Sequence, residues 1–349
     1  MVVATAVRRL RDVGYQVTRC CAYYGLKYNT YKSACRRLKH PLVDRKGQAK
    51  AMVTAACEGN RMVYGYRRVS EVCKANGLSL GEKSIRTIMR EEHLQPKMKR
   101  TKRYSSYKGE TAHRPANRCL VGDIDTVTKN GTHVSQRYRS QADRRRQAGR
   151  KDLVHDFYAD APNQRLGTDI TEFQCADGKV FFSPLIDFHD NMPIAYTCAT
   201  RPAALLTNTM LEAGLEQIQP GQRPELHTDR GWHYRHIDWV DRLTDISHDR
   251  QQCTHCTEEN PCDNAWLMVP SLSRLGNSGD NARVEGFFGT IKRELHASGI
   301  RPEKHTTEEF MKYLDDYLDW FVFDRLTTGP DGQYTTLAKQ RNLANNTTA

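Results

Sequence analysis

Ser273-Arg274-Leu275-Gly276-Asn277-Ser278-Gly279-Asp280-Asn281-Ala282-Arg283-Val284-Glu285-Gly286-Phe287-Phe288-Gly289-Thr290-Ile291-Lys292-Arg293-Glu294-Leu295 is the stretch that decides how the chain is read. A glycine-rich turn runs into Asp280, a good N-cap, and a helix-compatible run follows. Val284, Phe288, Ile291 and Leu295 recur at steps of four, three and four and form one apolar stripe. Asn281, Glu285, Gly289 and Lys292 fall on a different face, again at four, four and three. A carboxylate thus stands one turn from an amide, with a small residue and a cation beyond, a face suited to a metal and a phosphate backbone. Taken alone, the same pattern fits an ordinary amphipathic helix with a solvated side.

Charge along the chain sharpens that choice. The 349 residues carry a net charge of +12 with 38% hydrophobic and 27% charged residues, enough for two or three soluble domains. Residues 1–150 hold 34 Lys and Arg against 11 Asp and Glu, a net +23, whereas residues 151–349 hold 19 against 30, a net −11. Basic clusters bind nucleic acid by displacing condensed counterions, and an acidic half suits divalent metal. No apolar run approaches a membrane span and the start is too short for a signal peptide, so a cytoplasmic, nucleoid-associated protein is expected. Eleven cysteines, scattered and odd in number, argue against a disulfide framework.

The basic half reads as two helical units and a linker. In residues 1–42, a helix over Val17 to Tyr24, a turn at Gly25 and a helix over Tyr31 to Leu38 capped by Asn29-Thr30 follow helix-turn-helix logic. Lys32, Arg36 and Arg37 are the candidate DNA contacts there, although many helical hairpins share the pattern. Residues 43–98 contain Tyr64-Gly65-Tyr66-Arg67-Arg68, a helix to Ala75, Asn76-Gly77 as its stop, and a helix from about Gly81 to Glu92. Ile85, Ile88 and Met89 form the buried face of that last helix, and Lys83, Arg86 and Arg90 lie on another as further DNA contacts. A small bundle with a solvated basic side is the alternative. Residues 99–158 are poor in aliphatics and read as a basic linker ordered mainly on DNA, with a hairpin possible over Thr126 to Val134.

Three segments together carry a resemblance: Gly167-Thr168-Asp169-Ile170-Thr171-Glu172-Phe173, Leu226-His227-Thr228-Asp229-Arg230-Gly231 and Asp280-Asn281-Ala282-Arg283-Val284-Glu285-Gly286-Phe287-Phe288. In this order they resemble the integrase core of the DDE transposases, and more narrowly the orfB product of the insertion sequence three family. The resemblance covers most of residues 160–335 and, more weakly, residues 1–98. The family usually has Trp where Leu166 stands. Strands are expected over Arg165 to Phe173, Lys179 to Phe188 and Met192 to Ala199, a helix around Ala203 to Ile218, and a strand over Pro224 to Thr228. Three antiparallel strands, a crossover helix and a parallel strand give an α/β, ribonuclease-H-like mixed sheet, preceded by the helix-turn-helix units. The catalytic core is placed at residues 159–300 and a C-terminal helix and tail at 301–349, with Phe310, Tyr313, Leu314, Tyr317, Leu318 and Phe321 as an apolar face.

The resemblance implies catalytic roles residue by residue. Asp169 would bridge two Mg²⁺ ions, Asp229 would hold one and Glu285 the other, with Mn²⁺ able to substitute. Asn281 and Lys292, then Arg230 and Arg283, are the candidates for touching the DNA backbone. His227 reads as a packing or positioning group, and strand alternation turns Glu172 to the opposite face. The implied activity is metal-dependent cleavage at an element's end and transfer of the freed 3′-OH, through a circular intermediate. Double-stranded DNA, a homo-oligomer on it and an upstream-frame protein or fusion are the implied partners. An inactive DNA-binding remnant is the rival, and a nuclease that cuts without joining is a third reading.

A departure lies between Asp229 and Glu285, where 55 residues intervene and the family has fewer. The extra material is taken as residues 248–268, which contain Cys253, Cys256 and Cys262. With His248 or His255 they could complete a tetrahedral Zn²⁺ site. The spacing does not match a two-pair zinc knuckle, and reduced, unligated cysteines in a surface loop are the expectation.

Overall fold

A computed structural model describes residues 2–39, 45–97, 117–121, 154–256, 261–274, 278–329 and 332–343. The expected hairpin over Thr126 to Val134 lies outside the described residues. The first unit comprises α1 (Val2–Asp12), α2 (Val17–Tyr23) and α3 (Tyr28–Lys39) around a small core of Ala4, Val7, Cys20, Cys21 and Tyr31. Gly25 adopts a left-handed φ of 63° between α2 and α3, a conformation L side chains resist. The second helix starts earlier than Asn29-Thr30 capping predicts. The Tyr31 amide already bonds the Lys27 carbonyl, so both residues lie inside α3 rather than at its cap.

The second unit comprises α4 (Arg45–Glu58), α5 (Tyr66–Ala75) and α6 (Glu82–Glu91), with Ile85, Ile88 and Met89 buried as their spacing predicts. Gly77 ends α5 at a φ of 82°. Tyr64 is buried and its hydroxyl accepts from the Leu326 amide at 2.7 Å, while Arg61 donates to the Tyr313 hydroxyl and the Asp316 carbonyl. The unit therefore packs onto the far end of the chain and shares its hydrophobic core.

The linker returns to the fold in two places. β1 (Leu120–Val121) pairs antiparallel with β2 (Val154–His155). Just before β1, Asn117 bonds the Asp280 carboxylate, the Arg118 amide bonds the Ser271 hydroxyl and Cys119 is wholly buried. Residues 117–119 thus pack with the core, held there by one buried thiol, one side-chain hydrogen bond and one backbone amide.

The core sheet contains β3 (Arg165–Thr168), β4 (Thr171–Gln174), β5 (Lys179–Asp187), β6 (Pro193–Ala199), β7 (Glu225–Thr228) and β8 (Val269–Leu272). β3 and β4 both pair antiparallel with β5 in one continuous register, Thr168 opposite Leu185 and Thr171 opposite Phe182. The strand expected over Arg165 to Phe173 is therefore real but interrupted at Asp169-Ile170. β6 lies on the other side of β5, and β7 and then β8 run parallel beyond β3. A third, second, first, fourth, fifth order with the last two strands parallel to the first is the ribonuclease-H-like arrangement. α7 (Ala204–Leu215) makes the crossover from β6 to β7. β8 is not anticipated by the sequence reading; Pro270 disguises it, and an edge strand tolerates proline.

α8 (Ile237–Leu243) follows β7 on the α7 side. α9 (Ala282–Ala297) and α10 (Thr307–Phe323) cover the opposite face. Val284, Phe288, Ile291 and Leu295 are all buried, as the apolar stripe requires, and Phe173 meets Phe310 with ring centroids 4.9 Å apart. The unit placed at residues 301–349 thus shares one core with the sheet. α10 opens with a capping box, Thr306 and Glu309 bonding each other's amides. Among the described residues no helix is long and apolar enough to cross a membrane.

Candidate active site

Asp169 lies at the break between β3 and β4, and its carboxylate accepts from the Ile170 amide at 2.7 Å. Parallel pairing sets Leu166 beside Leu226 and Gly167 beside His227; continuing it past the strand ends brings Asp169 next to Asp229. Asp229 in turn accepts from the Gly231 amide at 2.8 Å. The two aspartates line a cavity of about 270 Å³ with Ile170, Pro202, Trp232 and Tyr234. Glu285 stands on the first turn of α9, close enough for its charge to act on Asp169.

The electrostatics record that convergence. Burial, then the charges of Asp229 and Glu285, push the Asp169 carboxyl up to about 7, against the Ile170 and Asn281 hydrogen bonds that favour its anion. Asp229 is raised chiefly by burial, opposed by the Gly231 amide and by His233 and Arg235. Burial also raises Glu285. Tyr234 lies wholly buried beneath the pair, and its phenol is raised by burial and by both aspartate charges. Nothing in the sequence pattern marks Tyr234 for this place.

The remaining sequence candidates divide. Asn281 is buried and donates its amide to the Asp169 carboxylate at 2.9 Å, so in this structure it holds a carboxylate. Its Oδ1 is buried with no hydrogen-bond partner among the described residues. Lys292 donates to the Thr171 hydroxyl at 2.7 Å, and burial lowers its ammonium against the raising effect of Glu172 and Asp169. Arg230 and Arg283 are half-buried, and each donates to a backbone carbonyl, Arg230 to Ser273 at 2.6 Å and Arg283 to Phe188 at 2.8 Å. Long, flexible side chains near the acidic site find backbone acceptors within the fold.

Asp280 is not the N-cap of α9. It is fully buried in a 3₁₀ turn, where it accepts from Asn117 and from the backbone and guanidinium of Arg274. His227 is buried between the hydroxyls of Ser271 and Ser273, which fits the packing role. Glu172 is exposed on β4 and pairs with Lys179, yet it lines the same cavity as Asp169 and Asp229, because the break at Asp169-Ile170 interrupts the alternation that was expected to turn it to the opposite face. Lys83, Arg86 and Arg90 are exposed along α6, as are Lys32 and Arg36 on α3; the Arg37 side chain lies outside the described residues.

Comparison with known proteins agrees with this layout. Residues 159–258 match the integrase core domain and residues 44–102 match an HTH-like domain. The chain is 31% identical over 312 residues to a probable transposase for insertion sequence element IS1353 of Shigella flexneri, covering 88% of this chain and 49% of that protein. It therefore spans about half the length of that relative. It is 29% identical over 304 residues to InsK for insertion sequence element IS150 of Escherichia coli K12, covering 86% and 84% of the two chains. The HTLV-2 integrase catalytic core in complex with magnesium aligns at a TM-score of 0.30 and 14% identity over 50% of this chain and 93% of that one. The chain thus carries an integrase core domain and an HTH-like domain, and over most of its length it is similar to insertion-sequence transposases of the IS3 and IS150 type.

Proposed function

We propose that this protein cleaves a DNA strand at the end of its element and joins the freed 3′-OH to a second phosphodiester, using divalent metal held by Asp169, Asp229 and Glu285. What supports the reading is the parallel pairing that sets Asp169 beside Asp229 past the ends of β3 and β7, with the Glu285 charge acting on Asp169 from the first turn of α9.

The residues fit magnesium. The donors are hard oxygens; burial first, and then the charges of Asp229 and Glu285, push Asp169 up to about 7, a penalty on the carboxylate that a bound cation would offset. The unpartnered Oδ1 of Asn281 adds a buried polar atom beside them. When bound, divalent ions supply charge neutralisation at the phosphodiester and activation of an oxygen nucleophile. Asn281 orients the Asp169 carboxylate, the Ile170 and Gly231 amides fix one oxygen of each aspartate, and Lys292 sets a cation on the same helical face for phosphate. The exposed basic faces of α3 and α6 are the surfaces proposed for duplex DNA, on which copies of the chain would assemble.

The test is cleavage and strand transfer on a duplex carrying the element's own terminal sequence, with Mg²⁺ or Mn²⁺. The expected result is a joined product with the wild type and none with Asp229→Ala. Equal activity in both proteins, or none in the wild type with either ion, overturns the reading. Nicked DNA without joined product assigns a nuclease instead.

A further inference from the structure

We infer that residues 248–262 form a structural zinc site, with His248, Cys253, Cys256 and Cys262 as its four ligands. One ligand atom from each of the four lies within 4.8 Å of every other. Cys253 Sγ is 3.7 Å from Cys262 Sγ, and His248 Nε2 is 3.4 Å from Cys256 Sγ and 3.5 Å from Cys262 Sγ. Zinc–sulfur and zinc–nitrogen bonds of about 2.3 Å and 2.0–2.1 Å at tetrahedral angles require edges of about 3.8 Å and 3.6 Å. The three separations match such a tetrahedron. The Cys262 amide also points at Cys256 Sγ at 3.3 Å, a contact that stabilises a thiolate. The sequence left His248 and His255 as alternatives for the fourth ligand, and the structure brings His248 to the three cysteines. His255 takes no part; its ring lies beside the Thr254 hydroxyl.

The loop has little else to fold around. Its base is closed by pairing of Thr244 with Trp266 and by backbone bonds from Asp245 to Ala265 and from Leu267 to Leu243. Among the described residues between 246 and 264 none is buried, and Ile246 is 95% exposed. The least exposed of them are His248, Cys253, Cys256, Cys262 and the neighbouring Pro261. Such a segment lacks an apolar centre, which a tetrahedral metal replaces. Asp263, next to the last ligand, forms a two-pronged contact with Arg118 at 2.6 and 3.0 Å, and Arg118 reaches Glu225 of β7 at 3.8 Å. The metal thereby fixes the approach to β8 and the contact that holds residues 117–119 on the core.

The full-length protein, expressed with zinc in the medium, is expected to retain one zinc per chain after gel filtration. An Asp169→Asn/Asp229→Asn double variant should retain it too, which separates this site from the carboxylates. His248→Ala and Cys253→Ser/Cys256→Ser should lose most of it. Because misfolding of those variants would also release metal, the wild type is also stripped with a thiol-reactive mercurial and refilled with Co²⁺ after reduction. The visible absorption of tetrahedral thiolate-bound cobalt is expected, and stripping should expose residues 249–262 to protease while the remaining core stays resistant. No zinc in the purified protein together with no such cobalt spectrum overturns the inference, as does zinc that persists undiminished in both ligand variants.

Discussion

Arg165 and Glu225 form a buried ion pair, Nε to Oε2 at 2.7 Å, at positions directly opposite in the parallel pairing of β3 with β7. Each stands four residues before one of the two aspartates proposed to hold metal, Asp169 just past β3 and Asp229 just past β7. The pair therefore fixes the register that sets the two carboxylates side by side. Arg165 is 1% exposed and also donates to the Asp156 carbonyl, so removing its partner leaves a buried guanidinium undercompensated. Glu225→Ala is expected to lower stability by about 3–5 kcal/mol, read by denaturant titration. A loss within the error of the measurement would show that the strands keep their register without it.

The acidic site stores a stability cost that depends on pH. The Asp169 carboxyl is raised to about 7 in the folded chain from an ordinary value near 4, so the native state favours its protonated form. The associated stability is fully present below about pH 4 and is lost as pH rises through about 7. Asp169→Asn cannot ionise and keeps an oxygen for the Ile170 amide. In metal-free buffer the variant should be more stable than the wild type at pH 8, by the order of 1–4 kcal/mol, and nearly equal to it at pH 4. Melting curves at the two pH values decide this; a variant equally or less stable at pH 8 would contradict a carboxylate held unfavourably by burial and by its acidic neighbours.

Asn281 is a positioning residue for the same carboxylate, since its amide reaches Asp169 Oδ2 at 2.9 Å across the gap between α9 and β3. Asn281→Ala should leave the circular dichroism spectrum unchanged, cut strand transfer about 10–100-fold and raise the Mg²⁺ concentration needed for half-maximal rate. An unchanged magnesium dependence would restrict Asn281 to packing.

Much of this was legible before any coordinates. The strands expected over Lys179 to Phe188, Met192 to Ala199 and Pro224 to Thr228 stand as β5, β6 and β7, and the four-three-four spacing of Val284, Phe288, Ile291 and Leu295 placed the inner face of α9. Three motifs in order located the carboxylates. The failures share a cause: direction and pairing are set by neighbours distant in sequence. Asp280 before a helix fits an N-cap, yet Asn117 and Arg274 claim it. Asn281 sits on the predicted helical face, and only the packing of α9 against the broken strand shows that it faces Asp169.

Gly167, two residues before Asp169, is a site where the absent side chain matters. A Cβ there would stand 2.4 Å from two ring atoms of Phe188 and 3.0 Å from a methyl of Val284. Both neighbours are completely buried, and Phe188 packs edge-on against Phe157, so the ring has no free volume into which to turn. Val284 adjoins Glu285 on α9, so the displacement acts at once on the strand bearing Asp169 and on the helix bearing the third carboxylate. Gly167→Ala is expected to cost about 1–3 kcal/mol through overpacking and to lower strand transfer by more than the folded fraction accounts for. Pairing it with Phe188→Leu, which removes ring atoms from the clash, should recover part of both losses. Strictly additive losses in the double variant would place the defect elsewhere than at this contact.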